Sequence, residues 1–328
     1  MSHFSLGISL RLMRQTWPFL LFRVLVYFGI AAAFMLATGT GAGLGYGLGS
    51  FWEDDTRIGA AIWGGVGGFG LSAGLLYLAR EYLLYLVKAG HIAVMVEALE
   101  GRDLPAGQGQ IAYARAIVTA RFGQASLLFG LDQLVKGVIG AVTGLLQGLF
   151  SILPIPGLDR VMALVRAYLK VAVGLMDEVM LAHILRSRAE NPYAEAQKAL
   201  VLYAQNARPL LVSAAWITAL IWLLSLAVFV LMLAPAAALV WFLPGQASAA
   251  GLAFALLFAW AVKAALIEPF AIACLLQAYF TLTEGQTPNP EWQRKLDAVS
   301  ERFKSLGARA LSWAGRGRSS PSQTGDAA

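Results

Sequence analysis

The chain has 328 residues, of which 58% are hydrophobic and only 13% charged, with a formal net charge of +6. Soluble domains carry roughly 25% charged residues, so this composition excludes an ordinary water-soluble fold. The positive balance fits Lys and Arg gathered on cytoplasmic loops of a membrane protein, and no nucleic-acid partner is expected.

The first apolar stretch follows Arg11 and Arg14 and is interrupted only by Arg23. It is far longer than the roughly 7–15 residues of a signal-peptide core, so it reads as a retained span. A helix rises about 1.5 Å per residue, and about 20 apolar residues cross a hydrocarbon core. Four stretches meet that length, at about 24–47, 57–79, 210–234 and 249–275. The whole is expected to be an all-α polytopic bundle.

Glycine occupies every odd position from Gly39 to Gly49. No nucleotide-loop register fits this run, and no flanking strand or GK[ST] follows it. Spacing by four is the informative pattern: Gly41, Gly45 and Gly49 on span one, then Gly64, Gly68 and Ser72 on span two. Small residues at that spacing form a flat ridge where membrane helices approach closely. The two ridges predict a tight antiparallel hairpin. A pore-lining role or contact with a second copy is the competing use.

Span two is expected to continue past Arg80 as a helix to about Glu100, where Gly101-Arg102-Asp103-Leu104-Pro105 stops it. Residues 110–121 read as a short basic helix.

Residues 126–183 read as a hairpin around Leu153-Pro154-Ile155-Pro156-Gly157. Asp132, Lys136, Gly140, Thr143 and Gln147 make a narrow polar stripe on its first arm. Asp159, Ala163, Arg166, Lys170, Gly174 and Asp177 make one on the second. A narrow stripe on an otherwise apolar helix suits insertion, with surface-lying as the alternative. Six spans are therefore expected, two of them in this hairpin. Folding about the turn sets Lys136 near Gly174 and Asp177, and Asp132 near Asp177 and Glu178. On the last span Lys263 and Glu268 are five apart, about 140° around an α-helix, so each is expected to find a partner elsewhere. Asp177 or Glu178 would suit Lys263, and Arg166 or Lys170 would suit Glu268.

Asn191-Pro192 and Asn289-Pro290 are helix starts, with Asn as cap and Pro in the first turn. The second opens a helix whose apolar positions are Leu296, Val299, Phe303, Leu306, Ala310 and Trp313. Its basic residues Lys295, Arg302 and Arg309 suit the inner-leaflet surface, and docking on the protein's own helices is the alternative. The expected organisation is a transmembrane bundle with cytoplasmic helices over 1–283, a basic amphipathic helix over 284–314 and a disordered tail over 315–328.

Lys and Arg divide strongly: the inside segments of this layout hold about nineteen, the outside ones only Arg57 and Arg160. Both termini are expected in the cytoplasm of a multi-pass protein of a cell membrane, a bacterial inner membrane.

No catalytic constellation stands out. His3, His91 and His183 are scattered, and Cys274 is alone, so no metal and no cofactor are expected. Asp177-Glu178 near His183 is the nearest approach to an acid–base cluster, and His183 falls off their helix face. Two functions remain. One is a channel or transporter for a small polar solute or ion, with Asp132, Lys136, Arg166, Lys170, Asp177, Glu178, Lys263 and Glu268 along its path. The other is a non-catalytic membrane subunit that organises lipid or binds a protein partner or a second copy through its glycine-rich helices.

Overall fold

The computed structural model describes residues 3–51, 54–79, 84–122, 131, 134–140, 176–241 and 248–318. All regular structure among them is helical. Helices α1 (Leu6–Gln15), α2 (Trp17–Gly49), α3 (Asp54–Ala79), α4 (Tyr85–Leu99) and α5 (Gln110–Phe122) are followed by helical residues 134–140. Then come α6 (Met176–Ser187), α7 (Pro192–Gln205), α8 (Ala207–Trp241) and α9 (Ser248–Val262). A π-helical turn, Lys263–Ile267, joins α9 to α10 (Glu268–Thr283). Helices α11 (Pro290–Val299) and α12 (Glu301–Arg318) complete the order.

Four helical stretches are long and apolar enough to cross a membrane: Trp17–Gly49, Thr56–Leu76, Ala207–Ala238 and Ala255–Thr283. The 33 residues of α2 extend about 50 Å, well beyond a hydrocarbon core about 30 Å thick. These four match the four spans expected from the sequence. Most of 126–183, expected to supply two further spans, lies outside the described set, including Asp132, Arg166, Lys170 and the segment 153–157 expected to turn. Residues 80–83, where span two was expected to run on, also lie outside it.

The chain divides into two compact units. Unit 2 comprises Met13–His91 and Ala219–Ala271. Its α2 and α3 form a close hairpin. A Cβ placed on Gly41 would collide with the carbonyl of Gly64, one on Gly45 with that of Ala60, and one on Gly68 with that of Ala37. Hydrogen at these positions is what lets the backbones touch. The other core of this unit packs Tyr27 and Ala31 against Leu84, Ala261, Ala264 and Ala265. Trp260 meets the Tyr27 ring edge-on.

Unit 1 comprises Met1–Leu12, Ile92–Thr218 and Ile272–Ala328. Helix α7 starts as the sequence indicates: Asn191 Oδ1 accepts from Ala194 N at 3.1 Å. Asn289 Oδ1 likewise accepts from Glu291 N at 2.8 Å to start α11. The single amphipathic helix expected after Pro290 is in fact two. Ser300 takes an extended conformation (φ −138, ψ 106), and its Oγ accepts from Phe303 N, so it caps a second helix opened by Glu301. Of the two placements considered for the apolar side, the inner-leaflet surface and the protein's own helices, the structure shows the second: it lies against α7. Leu296, Phe303 and Leu306 are almost fully buried, the Trp313 ring meets the Tyr193 ring, and Asn191 Nδ2 donates to the Ala310 carbonyl at 2.8 Å. Burying a side chain of this size stabilises by ~1.5–3 kcal/mol, more than the ~1 kcal/mol per basic residue available at an anionic surface. Val299 alone of the apolar positions named stays exposed. Helix α12 runs on to Arg318, past Gly315, and 319–328 lie outside the described residues.

Candidate functional site

The charged stripe is the first place to look for function. Lys136 Nζ lies 3.4 Å from Asp177 Oδ2, the neighbour expected for it from the sequence. Asp177 is nearly enclosed and Glu178 is buried, while Lys136 is about half exposed. Asp132, Arg166 and Lys170 lie outside the described residues.

Lys263 and Glu268 break the expectation of separate partners. Lys263 Nζ is 3.3 Å from Glu268 Oε1. The reason is the π-turn between them, in which Glu268 N–H donates to the Lys263 carbonyl. A turn closed by i→i+5 hydrogen bonds brings residues five apart onto one side. The turn has a cause in the sequence. Pro269 has no N–H, so the Ala264 carbonyl has no donor five residues on. Arg23 Nη2 from α2 donates to that oxygen at 2.6 Å. Arg23 is fully buried, and its guanidinium also lies 5.5 Å from the Tyr27 ring centroid. Lys88 adds a second cation to Glu268, at 3.9 Å.

Of the packing positions named from sequence, Gly41, Gly45, Gly49, Gly64 and Gly68 all sit at the α2–α3 contact, and Ser72 is half-buried. The same glycine run also carries a second ridge. Gly39, Gly43 and Gly47 are exposed, with nothing within 4 Å of a Cβ built on them. Two residues are about 200° on a helix, so alternate glycines spaced by four fall on opposite faces.

His183 does not join Asp177 and Glu178. Its Nε2 lies 3.1 Å from Glu195 Oε1 and its Nδ1 3.2 Å from the Tyr279 hydroxyl. Lys198 Nζ donates to the other Glu195 oxygen at 3.1 Å. The hydrogen bond from His183, helped by Lys198, holds the Glu195 carboxyl below its ordinary range against the opposing effect of burial. Tyr279 is fully buried, which places this trio inside the packed core of unit 1.

Sequence reasoning missed a dense polar cluster, which lies outside the four long apolar helices. Helix α4 ends at Gly101 with φ +65, a left-handed conformation that favours glycine, and Arg102 N bonds back to the Glu97 carbonyl at 2.9 Å. That wrap returns the Arg102 side chain to Glu97, with Nε 2.5 Å from Oε2. Helix α6 ends at Arg188, a non-glycine residue with φ +50. Its Nη2 reaches both Glu97 oxygens at 3.0 Å. Glu100 joins Arg102 at 3.4 Å to Arg186 at 2.7 Å. Burial alone would raise the Glu97 carboxyl, but hydrogen bonds from Arg102, Arg188 and Tyr113 outweigh it and hold it below the ordinary range. Burial, then the hydrogen bond to Glu97, pushes the Tyr113 phenol up to about 12. The cluster walls a cavity of about 480 Å³ that Ile117 and Leu185 also line. Only Gly101 and Pro105 could have flagged it, as a helix stop; the contact between Glu97 and Arg188, 91 residues apart, has no local signature.

Among the described residues no group of three or more His, Cys, Asp or Glu could hold a metal ion. No family model matches this sequence, no curated protein matches it, and no solved structure matches it.

Proposed function

We propose that this integral membrane protein is a non-catalytic subunit that assembles with another transmembrane helix through the Gly39–Gly43–Gly47 face of α2. The observation that carries this reading is that one glycine run serves two opposite faces. The Gly41–Gly45–Gly49 face is consumed by the hairpin with α3, and the other is open. A small-residue ridge exposed to lipid is costly in lost packing and becomes favourable once a second helix covers it. The described members of the charged stripe fit the same reading, since Lys136 with Asp177 and Lys263 with Glu268 close into ion pairs. In this reading both termini face the cytoplasm, which the Lys and Arg distribution supports.

The test is the mass of the complex released from native membranes by mild detergent. Gly43→Leu should shift the protein from an assembly to the lone chain while leaving its unfolding temperature unchanged. An unchanged mass would overturn the reading.

A conduit is the second reading, favoured by the presence of Lys263 and Glu268 inside an apolar span, where ionisable residues commonly mark a path. Lys263→Cys in a Cys274→Ser background separates the two. A dry pair leaves the new thiol protected from an impermeant reagent in proteoliposomes, whereas a conduit exposes it.

A further inference from the structure

The cavity between the end of α4, α5 and the end of α6 has no place in the subunit reading, and it has the features of a ligand site. Its polar wall is Glu97, Arg102 and Arg188, with Tyr113 beside them. Glu97 acts as a clip. Its two oxygens accept from Arg102 Nε and Arg188 Nη2, which holds two guanidinium groups side by side. The three residues together carry one surplus positive charge. Arg102 Nη2 is buried and has no hydrogen-bond partner among the described residues. A buried guanidinium N–H without an acceptor is costly, so a ligand oxygen there would be favoured. Arg188 holds its place only by adopting φ +50, a conformation costly for a side chain of its size. Strain of that kind clusters at binding sites.

The remaining walls are Ile117, Leu185, Ala93 and Pro105. A volume of about 480 Å³ lies in the range of small-molecule sites, roughly 300–1,000 Å³, and exceeds what a bare ion fills. Asp103 is exposed and also lines the cavity, so a doubly charged anion is opposed. We propose that this cavity binds a singly charged phosphate ester, its phosphate oxygens bridging Arg102 and Arg188 and its organic part lying against Ile117 and Leu185. A tetrahedral phosphate presents oxygens to two guanidinium groups at once, whereas a planar carboxylate matches one fork. A phospholipid headgroup and a soluble phosphodiester share this chemistry.

The experiment uses the full chain in phospholipid-free detergent, titrated calorimetrically with glycerophosphoglycerol, the soluble headgroup diester. Saturable binding is expected, weakened at least tenfold by Arg188→Gln and unchanged by Lys304→Gln, a remote exposed cation. Ile117→Trp fills the cavity without touching the ion cluster, so it should abolish binding with the unfolding temperature preserved. This second variant keeps the test valid should Arg188→Gln fail to fold. Native mass spectrometry of the protein from membranes then assigns the source. A phospholipid retained by the wild type and lost in Ile117→Trp points to the headgroup, and headgroup binding with no retained lipid points to a soluble ester. Both support the phosphate site. Absence of saturable binding, equal binding by Ile117→Trp, or equally tight binding of succinate would overturn it.

Discussion

The α2–α3 hairpin and the α7–α11–α12 cluster are both helix packings, built from opposite materials. In the hairpin the contact is backbone on backbone, with Gly41 against Gly64 and Gly45 against Ala60. In the cluster it is made by large side chains, with Phe303 and Leu306 buried beside α7. The difference follows from composition: α2 and α3 hold stretches long and apolar enough to cross a membrane, and α7, α11 and α12 do not. Lipid gives leucine no reason to leave it, so membrane helices gain stability by close approach and dispersion. Water expels leucine and phenylalanine, so helices outside the membrane gain stability by burying area. The two regions should therefore fail in different ways: the hairpin when atoms are added, the cluster when atoms are removed.

The largest expected effect is Gly45→Leu. Its side chain has no space before the Ala60 carbonyl, and because backbone cannot yield as a side chain does, the cost should go well beyond the ~1–3 kcal/mol usual for overpacking and open the hairpin outright. Thermal unfolding in detergent should show a large drop for Gly45→Leu and a negligible one for Gly43→Leu. Equal behaviour of the two variants would erase the distinction between the faces.

Phe303→Ala comes next and probes the other material. Truncating a fully buried phenylalanine typically costs about 3–5 kcal/mol. Because α12 is terminal, much of that cost should emerge as local release. Proteolysis should cut between α11 and α12 in the variant under conditions where the wild type resists, with the apolar helices unaffected. Resistance equal to wild type would show that the tail does not depend on this contact.

A smaller effect is expected where neither material operates. Lys136→Met and Asp177→Asn, alone and together, should show a coupling of about 1 kcal/mol, modest because Lys136 is half exposed. Strict additivity would mean that the pair contributes nothing.

The smallest is a pH effect. The Glu97 carboxyl is held below its ordinary range in the fold, so the unfolded chain takes up a proton first as pH falls. Stability from Glu97 is thus present above the ordinary carboxylate pKa of about 4.3 and is lost as pH drops toward the folded value. Tyr113 runs the other way. Its stability is present below about 10 and is lost as pH rises from there toward about 12. Glu97→Gln should flatten the acid limb of a helix-content titration and also weaken the alkaline limb, leaving only the part that burial of Tyr113 supplies. An unchanged acid limb would remove Glu97 from the account.

What could be read in advance was whatever a short window contains. Apolar runs gave the four spans, Asn-Pro gave two helix starts, and glycine spacing gave the hairpin contact. The Lys136–Asp177 contact was also legible, since the hairpin expected over 126–183 would set those two residues opposite each other. The failures have physical causes. The Lys263–Glu268 pair was missed because α-helical geometry was applied to a turn that Pro269 converts to π. The break at Ser300 was missed because helical periodicity continues across it, and only the serine signals a cap. The Glu97 cluster joins three segments distant in sequence, and no periodicity encodes that. The open glycine face was in the same run as the closed one and needed only the 200° step between alternate residues.

Arg23 and the carbonyl of Ala264 are separated by 241 residues. At synthesis rates of about 5–20 residues per second, α2 leaves the ribosome roughly 10–50 s before Ala264 exists. For that interval a guanidinium sits near the start of a span without the oxygen that will later receive it. Tyr27, one helical turn on, is the cation's local companion from the start. The π-turn of the last span is thus a late appointment kept by an early helix, and order of birth becomes part of how this membrane protein is made.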